Sequence, residues 1–215
     1  MVDRQSSTQE LPTHRRILSH FKEHDPKMAS VIKKVGPLRL QRNRKYFMVL
    51  SRSIVSQQIS VAAADTIYSR FQKLFDGRIP TPERVAGLKD ESLRTAGLSR
   101  QKISYMKDLS RHFLDGTIRP RQLNYLDNDE IIDRLTQVRG IGRWTVEMFL
   151  IFSLNRLDVL PVDDLGLRVA VQNIYGMKAR PDAKRLRTIG KKWSPLETVG
   201  TWYAWRSLDA GIVNY

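Results

Sequence analysis

Two glycines one residue apart, Gly140 and Gly142, interrupt helical patterning in the run Val138-Arg-Gly-Ile-Gly-Arg-Trp-Thr145. The chemistry such a run can do is anion binding. Glycine lets a backbone turn sharply and approach a partner closely. The first amides of the helix that follows, around Arg143 to Thr145, have no intrahelical acceptor and can hold a phosphate. The alternative is a turn between helices that needs glycine for steric reasons alone, and Gly-Ile-Gly by itself favours that alternative. A second candidate is Asp163-Asp164, which follows Pro161 and precedes a helical pattern over 165–174. A carboxylate in that place accepts backbone N–H bonds as a cap.

The elements that must position these residues read as helical almost throughout. Helices are predicted over about 14–24 and, from the cap-and-proline pair Asp25-Pro26, over about 26–35. Apolar stretches at Tyr46 to Leu50, Ile54, Ile59 and Ala62 to Leu74 surround a polar knot, Ser56-Gln-Gln-Ile-Ser60. Thr81-Pro82 starts a short helix, and Gly97-Leu-Ser99 breaks the pattern before another over 100–114. Asp127-Asn-Asp-Glu130 is a capping box for a pattern ending near Val138, and an apolar helix follows over 143–154. Ser194-Pro-Leu-Glu197 is read as a further capping box, opening the last helix. Residues 1–12 are expected to be a loose tail ahead of one domain over 13–215. Strand signals, repeats and low-complexity segments are absent, and continuous helical patterning hides any boundary within the domain.

Leu135-Thr-Gln-Val-Arg-Gly-Ile-Gly-Arg-Trp-Thr-Val146, then Leu160-Pro-Val-Asp-Asp-Leu-Gly-Leu-Arg168, resembles the helix-hairpin-helix DNA glycosylase superfamily, and within it the AlkA-like 3-methyladenine DNA glycosylases. Ser53-Ile-Val-Ser-Gln-Gln-Ile-Ser60 with Ala62-Ala-Ala64 is similar to the family's DNA-intercalating loop and following helix. Trp202-Tyr-Ala-Trp-Arg206 is similar to its last helix. The likeness covers about residues 14–213. It implies an all-α fold of two helical lobes with the active cleft between them, the first and last helices packing in one lobe.

The resemblance assigns roles. Asp164 is the catalytic carboxylate: breaking an N-glycosidic bond builds positive charge on the sugar, which a carboxylate near C1′ stabilises while it orients or deprotonates water. An alkylated purine is already cationic and leaves without a second acid. Asp163 is read as a cap. Trp144 stands where relatives with lyase activity place a Schiff-base lysine, so a monofunctional enzyme is expected. Trp144 and Trp205 match an aromatic pocket for a flipped cationic base, although core packing is the common fate of a helical tryptophan. Met148 stands where a close relative has an aromatic residue. Gln58 matches the residue that fills the gap left by the flipped nucleotide. Ser60 replaces a histidine that reads the minor groove in some relatives, and Leu98-Ser99 resembles a loop approaching the opposite strand. Gly140, Gly142, Arg143 and Thr145 form the phosphate contact. Arg139 replaces the common hairpin's proline. The carbonyls of Thr136, Val138 and Ile141 correspond to those that hold a monovalent cation, Na+ or K+.

Composition agrees with this and excludes other classes. The 215 residues contain 37 Lys+Arg against 22 Asp+Glu, a formal net charge of +15, which favours a nucleic-acid partner. With no cysteine, disulfides, thiolate zinc sites and an iron–sulfur cluster are excluded. No segment is apolar for long enough to span a bilayer. The expected partner is duplex DNA carrying alkylated bases, chiefly 3-methyladenine and 7-methylguanine, bound by an intracellular, cytoplasmic monomer (nucleoid-associated in a prokaryote). The basic cluster Lys178 to Lys192 flanks DNA or is simply a solvated face. Two other readings stay open: a glycosylase for 1-methyladenine, deaminated or mismatched bases, and a non-catalytic helix-hairpin-helix DNA-binding module.

Overall fold

A computed structural model describes residues 10–208; the expected loose tail over 1–12 lies outside these up to residue 9. The described residues form twelve helices and no strand, as the pattern of the sequence requires. They fall into two compact units, Asn43–Phe149 and the described parts of Thr8–Arg42 and Leu150–Tyr215.

The first unit contains α3 (Tyr46–Ser56), α4 (Val61–Lys73), α5 (Pro82–Gly87), α6 (Asp90–Thr95), α7 (Arg100–Leu114), α8 (Asn128–Leu135) and the beginning of α9 (Arg143–Leu154). α7 packs against α3, α5 and α6. Its core includes Leu50, Ile54, Phe71, Leu93, Met106, Leu109 and Leu135, all with no exposed surface. Cutting one such leucine to alanine costs about 2–5 kcal/mol. Side-chain caps fix most helix starts: Ser60 for α4, Thr81 for α5, Ser99 for α7 and the full Asp127–Glu130 capping box for α8.

The second unit contains α1 (His14–His24), α2 (Pro26–Val35), α10 (Leu165–Tyr175), α11 (Ala183–Gly190) and α12 (Glu197–Arg206). α2 packs against α1, α10 and α12. Asp25, 2 % exposed, joins them. One of its oxygens caps α2 by accepting from Met28 N, and the other accepts from Trp193 Nε1 at 3.0 Å and from the Tyr175 hydroxyl. Burial and the adjacent carboxylate push the Tyr175 phenol far above its ordinary range, so it stays a donor.

Two local expectations are corrected, and two helices were not read. α8 stops at Leu135, because Val138 N turns back to Leu135 O and Ile141 N to Val138 O, tightening the chain before the glycines. Ser194 caps nothing: α12 begins at Glu197 behind Leu196, and the Thr198 N–H is taken by the Leu157 carbonyl instead of a side chain. α6 is as short as α5 but starts behind Lys89 with no capping side chain, so nothing announces it. α11 was hidden inside the basic cluster, where Leu186 and Ile189 are buried while Lys184, Arg185 and Arg187 face solvent.

Candidate functional site

In the first unit the hairpin is built as its glycines require, but the two differ. Gly140 has φ +83°, and a Cβ there would lie 2.1 Å from Cδ2 of the Tyr105 ring. Any side chain would both strain the backbone and strike α7. Gly142 has neither constraint: a Cβ would meet nothing within 4 Å. Its carbonyl accepts from Val146 N and opens α9, and it has no side chain to cap the first turn. The amides of Arg143, Trp144 and Thr145 have no intrahelical carbonyl by construction. This is the arrangement an anion can use. The steric reading of the glycine pair therefore holds at 140 and not at 142, where the cost of a substitution would come from a partner. The Arg143 side chain bonds Glu147 Oε1 at 3.1 Å and approaches Asp129 at 3.9 Å. Thr145, expected at the phosphate contact, is buried.

The hairpin is anchored by residues that sequence reasoning missed. Asp108 on α7, 5 % exposed, accepts the Arg139 main-chain N–H at 2.8 Å through one oxygen and Arg111 Nη2 at 2.8 Å through the other. Burial alone would raise its pKa; the Arg111 bond, the Arg139 N–H and both guanidinium charges outweigh that and hold the carboxyl below its ordinary range. Gln57 Nε2 donates to the Gly140 carbonyl at 2.6 Å. These partners lie 31 and 83 residues apart in the chain, and no periodicity signals them.

Gln58 is exposed and sits at φ +57° in the turn between α3 and α4, a conformation non-glycine residues seldom adopt. Ser60 is exposed, but its hydroxyl caps α4 by accepting from Ala63 N at 3.3 Å. Leu98 is corrected: it is 4 % exposed and belongs to the core. Gly97, at φ +98°, ends α6; Gly97 N bonds Arg94 O and Leu98 N bonds Leu93 O. In that helix stop the residue after the glycine folds its side chain back onto the helix. Trp144 is 41 % exposed on the first turn of α9, whereas Met148, one turn later, is 8 % exposed.

In the second unit Asp164 caps α10. Its Oδ1 accepts from Leu167 N at 2.6 Å and from Trp205 Nε1 at 2.8 Å. Two donors on one oxygen fix the rotation of the carboxylate. The Trp205 ring is itself buried and stacked on Phe152, 6.0 Å between centroids and 18° between planes. A Cβ at Gly166 would come within 3.2 Å of Asp164 Oδ1, so the fit is tight. Arg168 braces the preceding turn through the Val162 carbonyl at 2.7 Å and Asp163 at 2.9 Å. Asp163 is thus an exposed ion-pair partner; the expectation that it caps is corrected.

The carbonyls of Thr136, Val138 and Ile141 are neutral oxygen donors, a set suited to a hard cation rather than a soft one. The Val138 carbonyl already accepts from Ile141 N at 3.0 Å, which leaves its second lone pair for such an ion.

Comparison with known proteins gives this geometry a context. Residues 51–195 match the model of the HhH-GPD superfamily base excision DNA repair proteins. The chain is 34% identical over 192 residues to DNA-3-methyladenine glycosylase 1 of Schizosaccharomyces pombe, covering 88% of this chain and 84% of that protein. The crystal structure of a DNA-3-methyladenine glycosidase from Bacillus halodurans superimposes with a TM-score of 0.83 at 37% identity, covering 91% of this chain and 89% of that one. The 3-methyladenine DNA glycosylase of the same yeast in complex with abasic DNA gives 0.79 at 34% identity, covering 93% and 100%.

Proposed function

Because this chain belongs to the HhH-GPD superfamily of base excision DNA repair proteins, we propose that it hydrolyses the N-glycosidic bond of alkylated purines, chiefly 3-methyladenine and 7-methylguanine, in duplex DNA. The observation that carries this reading is Asp164, a carboxylate oriented by the Leu167 amide and the Trp205 indole. The C1′–N bond breaks with its electron pair leaving on the already cationic base, and positive charge develops on the sugar. Asp164 stabilises that charge and takes up the proton of the water that adds to C1′. Both donors to Oδ1 are neutral, and together they orient the carboxylate.

Gln58, exposed at the tip of its turn, fills the space left by the extruded nucleotide. The amides that open α9 hold a phosphate, and the carbonyls of Thr136, Val138 and Ile141 would hold a monovalent cation beside it, adding positive charge where the phosphate lies. Trp144, exposed beside those amides, offers an aromatic face to base or sugar and has no amine. The product is therefore an intact abasic strand. Incubation with methylated duplex, with released bases identified by chromatography, tests the activity. Release of both purines is expected; intact bases throughout would remove the proposal. Borohydride added during turnover should trap no covalent complex, and a trapped adduct would show that another lysine forms a Schiff base.

One observation favours a second reading of substrate range. Ser60 stands where some of the family place a groove-reading histidine, and its hydroxyl already accepts the Ala63 N–H as the α4 cap, so this turn interrogates the minor groove less. Lesions such as 1-methyladenine then compete, and the same chromatogram reports them.

A further inference from the structure

Lys102, Tyr105 and Asp108 lie three residues apart along α7, and each meets the end of α3 or the hairpin of the first unit. Lys102 Nζ donates to the Val55 carbonyl at 2.7 Å, in the last turn of α3. The Tyr105 ring lies where a side chain at 140 would have to stand. Asp108 accepts the Arg139 N–H. Gln57 closes the circuit by donating to the Gly140 carbonyl. The turn bearing Gln58 and the hairpin are thus both referenced to one helix.

We propose that Asp108 is a positioning residue for DNA binding, setting through the Arg139 main-chain N–H the angle at which the hairpin offers the α9 amides to a phosphate. This rests on the phosphate-binding role given to the hairpin above. Arg139 makes the idea testable because the bond comes from its backbone. Arg139→Ala keeps the donor, whereas Arg139→Pro removes it, since proline has no N–H. A buried carboxylate that loses a donor carries the full penalty of its desolvation.

The experiment is a double-mutant cycle, with dissociation constants measured on an undamaged duplex and on an abasic-site duplex at one salt concentration. Asp108→Ala and Arg139→Pro should each weaken binding to both duplexes alike, by roughly tenfold. The double variant should be no weaker than either single one, because both remove the same bond. Arg139→Ala should cost about threefold or less, the loss of an exposed cation. Wild-type affinity in folded Asp108→Ala, or additive losses in the double variant, overturns the proposal. So does a lower active fraction, read as titration amplitude, with an unchanged dissociation constant, since that is a purely structural role. Should the variants not fold, hydrogen exchange of the Arg139 amide in the unaltered protein decides: strong protection is required, and exchange at the rate of an unstructured peptide overturns it. Undamaged duplex needs no excision. If the unaltered protein binds DNA yet releases no methylated base, the proposed activity falls while the cycle still decides the role of Asp108.

Discussion

Asp108 and Asp164 each accept a main-chain N–H, one in either unit, yet their other partners differ in kind. Asp108 lies in the core with the guanidinium of Arg111 at 2.8 Å and that of Arg139 at 3.6 Å. Asp164 is half-buried and receives the indole N–H of Trp205. A carboxylate matched by guanidinium groups has its charge answered within the protein, and it serves to hold two segments together. The Leu167 amide and the Trp205 indole, both neutral, fix the direction of Asp164 Oδ1. The same residue type thus ties two segments together beside cations in one unit and is aimed by neutral donors in the other.

The sharpest way to break this contrast is Asp164→Asn. On the proposed mechanism it removes a charge that acts in the transition state, and the single-turnover excision rate should fall roughly 10²-fold or more with DNA affinity retained. Excision near the normal rate would leave Asp164 as a cap and nothing else. Trp205→Phe comes next. It keeps a ring against Phe152 but deletes the donor to Oδ1, and the rate should drop about tenfold, the worth of one hydrogen bond at the reacting centre. A rate unchanged in Trp205→Phe would mean that the Leu167 amide alone orients the carboxylate.

Asp108→Asn should act on stability and through pH. The folded-state pKa of Asp108 is lowered, so its contribution is fully present above its unfolded value of about 4 and is lost as pH falls through the folded value. The difference in Tm between the protein and Asp108→Asn should be largest near neutrality and close in acid, each kcal/mol appearing as roughly 2–4 °C. Thermal melts followed by circular dichroism check it, and a difference that ignores pH would sink the electrostatic account. The smallest effect belongs to Asp163→Asn. Its pair with Arg168 is mostly exposed, 70% for the aspartate side chain, and such pairs contribute about 0–1 kcal/mol. Excision within about twofold of normal is expected; a loss as large as that of Asp164→Asn would mean that the neighbouring carboxylates exchange roles.

What the sequence disclosed follows how local each signal is. Asp25-Pro26, Thr81-Pro82 and Asp127 to Glu130 announce helix starts within four residues, and those helices begin as expected. Asp164 was legible for the same reason, standing directly ahead of an amphipathic run. Trp205 was legible only as a match to relatives, and its indole bond to a residue 41 positions away was not. Asp108 is one acid on a helix rich in basic residues, with nothing near it in the chain to suggest that it reaches the hairpin. Leu98 was read from its likeness to a family loop, and no local signal showed that the hydrogen bonds of a helix stop turn that leucine inward.

Gly140 and Gly142 look alike as text but answer to different judges. A library randomised at both positions and selected only for folded protein should keep glycine at 140, where Tyr105 and the backbone forbid anything larger, and should let 142 drift. The same library selected for protection of cells against a methylating agent should recover glycine at both. On that outcome the hairpin carries two separable records, one of what its own helix demands and one of what the proposed phosphate contact demands.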